Sequence, residues 1–97
     1  MSELIASQKV TVINPQGLHA RAADQIVRLA GEYAAEIELV KQGERVDGKS
    51  ILSILTLGAV QGTELTIEAR GSDAAQAVEA LVFVVEHTLP DTEASVE

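Results

Sequence analysis

Thr63-Glu64-Leu65-Thr66-Ile67-Glu68-Ala69-Arg70 is the stretch that decides the fold class, because polar and apolar side chains alternate along its length. Successive side chains of a β-strand point to opposite faces of a sheet, so this alternation predicts a strand with one buried and one polar face. Strands of this kind are typical of an antiparallel sheet that helices cover on a single side.

Further strands and helices are predicted on both sides of this stretch. The other strands are expected at 9–12, 35–41 and 44–47, with a turn at Gln42-Gly43. Helices are expected from Ala20 to about Gly31, from Ile51 to Leu57, and from about Asp73 to His87, where apolar residues recur at intervals of three and four. The order β-α-β-β-α-β-α predicts an α+β fold with a four-stranded antiparallel sheet and its helices on one face.

Length and composition limit the classes of protein to which the chain can belong. Its 97 residues correspond to one domain, 1–97, and we expect 1–7 and 90–97 to be mobile tails. The 46% of hydrophobic residues indicate a folded chain. Lys and Arg number 7 against 15 Asp and Glu, and this acidic balance argues against nucleic acid and anionic membrane surfaces as partners.

The absence of certain residues and segments excludes further classes. There are no cysteines, so disulfides, thiolate metal sites and cysteine nucleophiles are excluded. No apolar run approaches the roughly 20 residues that span a bilayer, and residues 1–9 do not have the pattern of a secretory signal. Two histidines far apart, without acidic residues at ligand spacing, do not predict a metal site. We therefore expect a cytoplasmic protein that uses no metal.

The stretch Asn14-Pro15-Gln16-Gly17-Leu18-His19-Ala20-Arg21 carries the candidate chemistry. It places a histidine between the end of a strand and the start of a helix, where the first amides lack intrahelical partners and favour negative charge. A phosphoryl group on His19 would be held by those amides, and Arg21 would add a planar donor suited to phosphate oxygens. Gly17 allows a close backbone approach. Neutral imidazole is a competent nucleophile near neutral pH.

Two blocks of the chain resemble one known family. Gly17-Leu18-His19-Ala20-Arg21, together with Asn14, resembles the active-site signature of HPr, the phosphocarrier of the sugar phosphotransferase system. Lys49-Ser50-Ile51, continuing to Leu57-Gly58, resembles the regulatory serine segment of the same family. The resemblance covers about residues 8–88 and agrees with the order of elements, so it implies an HPr-like open-faced sandwich.

The resemblance implies a carrier rather than an enzyme, without a cofactor. Enzyme I, charged by phosphoenolpyruvate, would phosphorylate His19 on Nδ1, and the carrier would then donate to an EIIA-type domain for sugar uptake. Arg21 would stabilise the phosphoryl group. The rest of the active-site loop would consist of Asn14, Gly17, Leu18 and Ala20.

The second block implies regulation and partner binding. Ser50 would be the serine that HPr kinase/phosphorylase modifies in some bacteria. The apolar residues that follow it would form a docking patch near His19: Ile51, Leu52 and Leu55. Nothing in the sequence favours an oligomer, so we expect a monomer.

One residue departs from the signature, which has proline after the arginine where this chain has Ala22. Proline pre-sets the backbone of a helix's first turn, and alanine adopts the same conformation. We expect a loss of rigidity worth about 0.5–1 kcal/mol, with the chemistry retained.

Several alternatives remain open at this point. Ser50 also has the character of a helix N-cap, and Ile54 and Leu57 are expected in the core. The chain could instead be a regulatory module that acts mainly through Ser50 and the apolar patch. An acyl carrier is disfavoured by the alternating strands and by the lack of an Asp-Ser-Leu attachment motif.

One segment matches a nucleotide-binding motif in its residue types but not in its expected structure. Residues 43–50 fit the P-loop pattern G-x-x-x-x-G-K-S, which in P-loop proteins cradles phosphates. Glu44 and Asp47 would put negative charge where the phosphates must lie, and 44–47 is expected to be a strand. We therefore do not expect nucleotide binding there.

Overall fold

The computed structural model describes residues 4–87 and contains the predicted elements in the predicted order. The strands are β1 (Ile5–Thr11), β2 (Glu36–Lys41), β3 (Glu44–Asp47) and β4 (Glu64–Arg70). The helices are α1 (Ala20–Ala30), α2 (Ile51–Thr56) and α3 (Ala74–His87). The predicted fold class is thereby confirmed.

Strand β4, the stretch from which the fold was predicted, lies inside a four-stranded sheet of order β1-β4-β2-β3. It pairs antiparallel with β1 from Ile5↔Arg70 to Thr11↔Glu64, and with β2 from Glu36↔Arg70 to Val40↔Thr66. Its alternate side chains are buried as the pattern predicted: Leu65, Ile67 and Ala69. Helix α3 packs on β1 and β4, and α1 packs on α3, so the apolar core lies between this face and the helices.

Strand β1 begins earlier than the sequence pattern indicated. The prediction began at Lys9, whereas the strand begins at Ile5, so residues 5–7 of the predicted N-terminal tail pair with 68–70. The local pattern does not show this, because Ile5 is exposed and the following residues do not alternate with a buried face. Backbone pairing with β4 orders them instead. Residues 1–3 and the predicted tail at 90–97 lie outside the described residues.

Arg45 is the centre of a charge network on the polar face of the sheet. Its Nη1 lies 2.6 Å from Glu68 Oε1 and 3.0 Å from Glu38 Oε1. The hydrogen bond to Glu68, followed by that to Glu38, raises the pKa of the Arg45 guanidinium. The network joins β2, β3 and β4 on the exposed face of the sheet.

The Asp73 carboxylate joins the start of α3 to the segment that leads into β2. The sequence indicated a cap at this position, and the Asp73 carbonyl oxygen does accept from Ala77 N at 3.0 Å. The side chain reaches further: Oδ2 accepts from Ala34 N and Oδ1 from Ala35 N, both at 2.9 Å. The hydrogen bond from Ala34 is the largest cause of a lowered pKa of the Asp73 carboxyl.

We predict that Asp73→Asn lowers the urea midpoint of unfolding at pH 7, because the charged acceptor of two backbone N–H groups is lost. A carboxyl group whose pKa is lowered by folding stabilises the protein fully when the pH is above its pKa in the unfolded chain, here 3.8. This stabilisation is lost as the pH falls through the lower pKa of the folded state. The difference in midpoint between wild type and variant should therefore be full at pH 7 and shrink below pH 4.

The matched control is Asp24→Asn, which removes a carboxylate that pairs with Arg28 on the exposed side of α1. Because exposed pairs contribute little, its midpoint should stay near the wild-type value. An equal effect of the two variants, or a pH-independent effect of Asp73→Asn, would contradict this account.

Candidate functional site

The loop between β1 and α1 is ordered by the buried side chain of Asn14. Asn14 is 2% exposed, its Oδ1 accepts from Gln16 N at 3.0 Å, and its carbonyl oxygen accepts from Gly17 N at 2.8 Å. A side chain that accepts from a backbone amide two residues later forms an Asx turn, a role for which asparagine is well suited. Asn14 thus shapes the turn that precedes the candidate histidine.

Gly17 and Leu18 attach this loop to the segment after α2. Gly17 has a φ of 67°, and a Cβ added there would clash with the Ala59 carbonyl oxygen. The same oxygen accepts from Leu18 N at 2.9 Å, and the Leu18 side chain is buried in the core. Glycine is required at position 17 both by the backbone angle and by the close approach.

His19 is the N-cap of α1. Its backbone is extended, with φ −77° and ψ −177°, and its carbonyl oxygen accepts from Ala23 N at 2.9 Å. Its half-buried ring lies over the first turn, where Nδ1 accepts from Arg21 N at 3.2 Å. The ring nitrogen that faces the backbone amides of the first turn of α1 is therefore Nδ1.

The second ring nitrogen, Nε2, lies 3.3 Å from Asn14 Nδ2. A neutral imidazole has one unprotonated nitrogen, so the Arg21 and Asn14 contacts cannot both be hydrogen bonds in one tautomer. When Nδ1 accepts from the Arg21 amide, the lone pair is on Nδ1 and the ring proton is on Nε2. That lone pair is the one a nucleophilic Nδ1 would use.

The electrostatics at this helix start favour an anion. The positive end of the α1 dipole and the exposed Arg21 occur together, and the first turn holds no acidic residue. The predicted loop residues Asn14, Gly17 and Leu18 are buried around His19, whereas Ala20 is exposed. The structure brings all of them together in one loop and the following helical turn.

Ser50 is the N-cap of α2, as the sequence indicated. Its Oγ accepts from Ser53 N at 3.2 Å. Ile54 and Leu57 are buried, as expected. The predicted docking patch varies in exposure, because Leu52 is 77% and Leu55 37% exposed while Ile51 is half-buried against the core.

Residues 59–62 border the site, and the sequence analysis assigned them no role. Gly62 N donates to the Val12 carbonyl oxygen at 2.8 Å, and Gln61 Nε2 donates to the Ile13 carbonyl oxygen at 3.2 Å. Ile13 and Val60, on these two segments, are 51% and 66% exposed. Sequence analysis missed them because only contacts between distant parts of the chain place these residues beside the site.

The P-loop-like segment does not form a phosphate cradle. Residues Glu44–Asp47 are strand β3, and Lys49 Nζ donates to the Tyr33 carbonyl oxygen at 2.8 Å. Asp47 Oδ1 accepts from Lys49 N at 2.9 Å, so a carboxylate occupies the turn. Within residues 4–87, no helix is long and apolar enough to cross a membrane, and no group of three or more His, Cys, Asp or Glu side chains could hold a metal ion.

Comparison with known proteins identifies one family. Residues 6–87 match the sequence profile described as "PTS HPr component phosphorylation site". The phosphocarrier protein HPr of Neisseria meningitidis serogroup B is 37% identical over 78 residues, which cover 80% of this chain and 88% of the relative. HPr of Pseudomonas aeruginosa is 37% identical over 86 residues, covering 88% and 96%.

A solved structure agrees with these sequence matches. The crystal structure of HPr from Bacillus anthracis is 38% identical, with a TM-score of 0.79 over 82% of this chain and 95% of that one. The likeness therefore extends over nearly the whole length of the known protein.

We predict that Gly17→Ala destabilises the protein by at least about 2 kcal/mol, because it combines a left-handed backbone with a clash against Ala59. Gly58→Ala is the matched control, because its φ of 59° is similar and nothing lies within 4 Å of an added Cβ. Its expected loss is only about 1–2 kcal/mol. Urea unfolding of the two variants measures the difference, and equal losses would contradict the proposed close approach.

Proposed function

Because this chain belongs to the HPr family of phosphocarrier proteins of the phosphotransferase system, we propose that His19 is its phosphoryl acceptor, with Nδ1 as the reacting atom. Members of this family are carriers rather than catalytic enzymes. On this proposal the chain takes a phosphoryl group from phosphoenolpyruvate-charged enzyme I and passes it to EIIA-type domains. It does so in the cytoplasm, as a monomer.

One observation carries the assignment of the atom: the Arg21 amide donates to His19 Nδ1 at the open start of α1. The contact orients the ring and leaves the lone pair on Nδ1. A phosphoryl group bonded to Nδ1 would take the position of an anion at a helix N-terminus, where amide dipoles favour negative charge. The Arg21 side chain, on the same exposed turn, would add charge-assisted hydrogen bonds to its oxygens.

The transfer step requires no additional reagent. The Nδ1 lone pair forms the new N–P bond, and the bond between phosphorus and the donor atom of enzyme I breaks with its electron pair remaining on that donor. Transfer to the EIIA-type acceptor is the same step with His19 as the donor. The preorganised amides and Arg21 would stabilise the phosphoryl oxygens throughout.

We further propose that partners dock on the apolar residues bordering the loop. Leu52 and Leu55 on α2 are exposed, and so are Ile13 and Val60 on two segments that the hydrogen bond from Gln61 to Ile13 joins. Exposed apolar clusters of this kind mark protein interaction sites. A shared surface would allow enzyme I and the EIIA-type domain to bind in turn.

Ser50 is proposed as the regulatory site, modified by HPr kinase/phosphorylase where that partner exists. Its hydroxyl caps α2, immediately before the docking residues Ile51 and Leu52. A phosphoryl group on an N-cap suits the helix dipole, so α2 would stay folded. The added charge of about −2 would lie beside an apolar docking surface and weaken the binding of acidic partners.

A regulatory module acting through Ser50 alone is the second candidate. The observation in its favour is that the Ser50 cap and the exposed Leu52 form a site that does not need His19. The two proposals differ in whether His19 carries phosphate.

We predict that His19→Ala abolishes phosphorylation by enzyme I and phosphoenolpyruvate, because the attacking nitrogen is removed. Intact mass should show one acid-labile phosphate on the wild type and none on the variant. The fold should persist, because the side chain is only half-buried. A phosphorylated His19→Ala variant would overturn the assignment of the acceptor.

The matched control is Arg21→Ala, which keeps the backbone amide that orients Nδ1. This variant should gain the same single phosphate about 10–100-fold more slowly, since one charge-assisted contact is lost. An unchanged rate of phosphorylation would show that the Arg21 side chain does not stabilise the phosphoryl group. An unphosphorylated wild type, beside a working control carrier, would favour the regulatory module.

We predict that Ser50→Asp weakens recognition by enzyme I and raises the KM for this carrier at least several-fold, because charge is added beside the docking residues. Aspartate is itself a good N-cap, so the urea midpoint should change little. Ser50→Asn is the matched control, because it caps without charge and should retain the wild-type KM. Equal KM values for both variants would leave Ser50 as a cap only.

A further inference from the structure

The backbone amide of Ala22 is a buried donor for which residues 4–87 provide no acceptor. Ala22 is the third residue of α1 and is 0% exposed. The amides on either side of it are both used, since Arg21 N donates to His19 Nδ1 at 3.2 Å and Ala23 N donates to the His19 carbonyl oxygen at 2.9 Å. The first amides of a helix have no intrahelical acceptor, and buried N–H groups are nearly always paired in folded proteins, so an external acceptor at this position would complete the first turn.

The start of α2 shows what the third amide of a helix does when its N-cap carries an oxygen. There Ser50 Oγ accepts from Ser53 N, the amide at the same position as Ala22 in α1. N-cap oxygens bond to the second or third amide of a helix. The N-cap of α1 is His19, which carries a ring instead. Its Nδ1 accepts from the second amide of the helix, so the third amide has no side-chain acceptor.

We infer that the Ala22 amide donates to a phosphoryl oxygen once His19 Nδ1 is phosphorylated. The inference rests on the proposed function, which places that group on Nδ1. Phosphorylation uses the Nδ1 lone pair that Arg21 N had bonded and brings three strong acceptor oxygens to the same place. The amides of Arg21 and Ala22 then have acceptors, and no acidic side chain in the first turn competes for them.

The donor depends on the identity of residue 22. Proline at this position would keep the backbone angle of a first helical turn but has no N–H. A chain with Ala22 therefore holds the phosphoryl group with one backbone donor more than a chain with proline there. Ala22 acts as a positioning residue, and its added donor stabilises the phosphohistidine ground state, in which the phosphoryl oxygens carry full charge, so hydrolysis of the phosphohistidine is slowed.

The direct test is NMR of the full ¹⁵N-labelled chain before and after phosphorylation with phosphoramidate, a small phosphoryl donor. Intact mass of wild type and His19→Ala establishes that a single phosphate is on His19. The Ala22 amide proton should then move downfield and show a scalar coupling to ³¹P, whereas the Ala23 amide, which already bonds the His19 carbonyl oxygen, should not. A phosphate on His19 with no change at the Ala22 amide would overturn the inference alone.

The second test compares Ala22→Pro with Ala22→Gly, which keeps the amide. The half-life of the phosphohistidine at neutral pH should be about tenfold shorter in Ala22→Pro, as expected for one lost hydrogen bond to a charged group, and near wild type in Ala22→Gly. Equal half-lives would overturn the inference. If Ala22→Pro does not fold, the ³¹P coupling in the wild type decides. If neither phosphoramidate nor enzyme I modifies His19, the proposed function fails, and this inference with it.

Discussion

The backbone of Gly17 lies so close to the Ala59 carbonyl group that no side chain fits between them, and the same carbonyl oxygen accepts from Leu18 N. This contact joins the loop before α1 to the segment after α2. The position of His19 depends on it, because Leu18 is anchored in the core immediately before the N-cap. The site is therefore built where two distant segments of backbone meet, rather than on one element.

The starts of α1 and α2 are capped in the same way by different side chains. His19 and Ser50 both have extended backbones, and the side chain of each accepts from an amide in its own first turn. An oxygen on Ser50 bonds the third amide, whereas a ring nitrogen on His19 bonds the second. A phosphoryl group at either N-cap would lie at the positive end of a helix dipole, beside the amides of the first turn.

The scaffold around these helix starts is held by a few contacts between elements. Strand β4 pairs with β1 and β2, and the side chains on its buried face form part of the aliphatic core. The Asp73 carboxylate ties α3 to the segment entering β2, while Arg45 links the acidic side chains Glu38 and Glu68 on the opposite face. None of these contacts includes a residue of the loop at 14–21.

The sequence by itself determined the fold class, the order of elements and the identity of His19 and Ser50 as candidates. Those features depend on neighbours in the chain: the alternation through Leu65 and Ile67, and the helix start that follows His19. Only the tertiary structure decided which ring nitrogen of His19 bonds the first turn, how far β1 extends towards Ile5, and which apolar residues border the site. These depend on pairing with β4 and on contact with Ala59, which join residues far apart in sequence and leave no periodic trace in it.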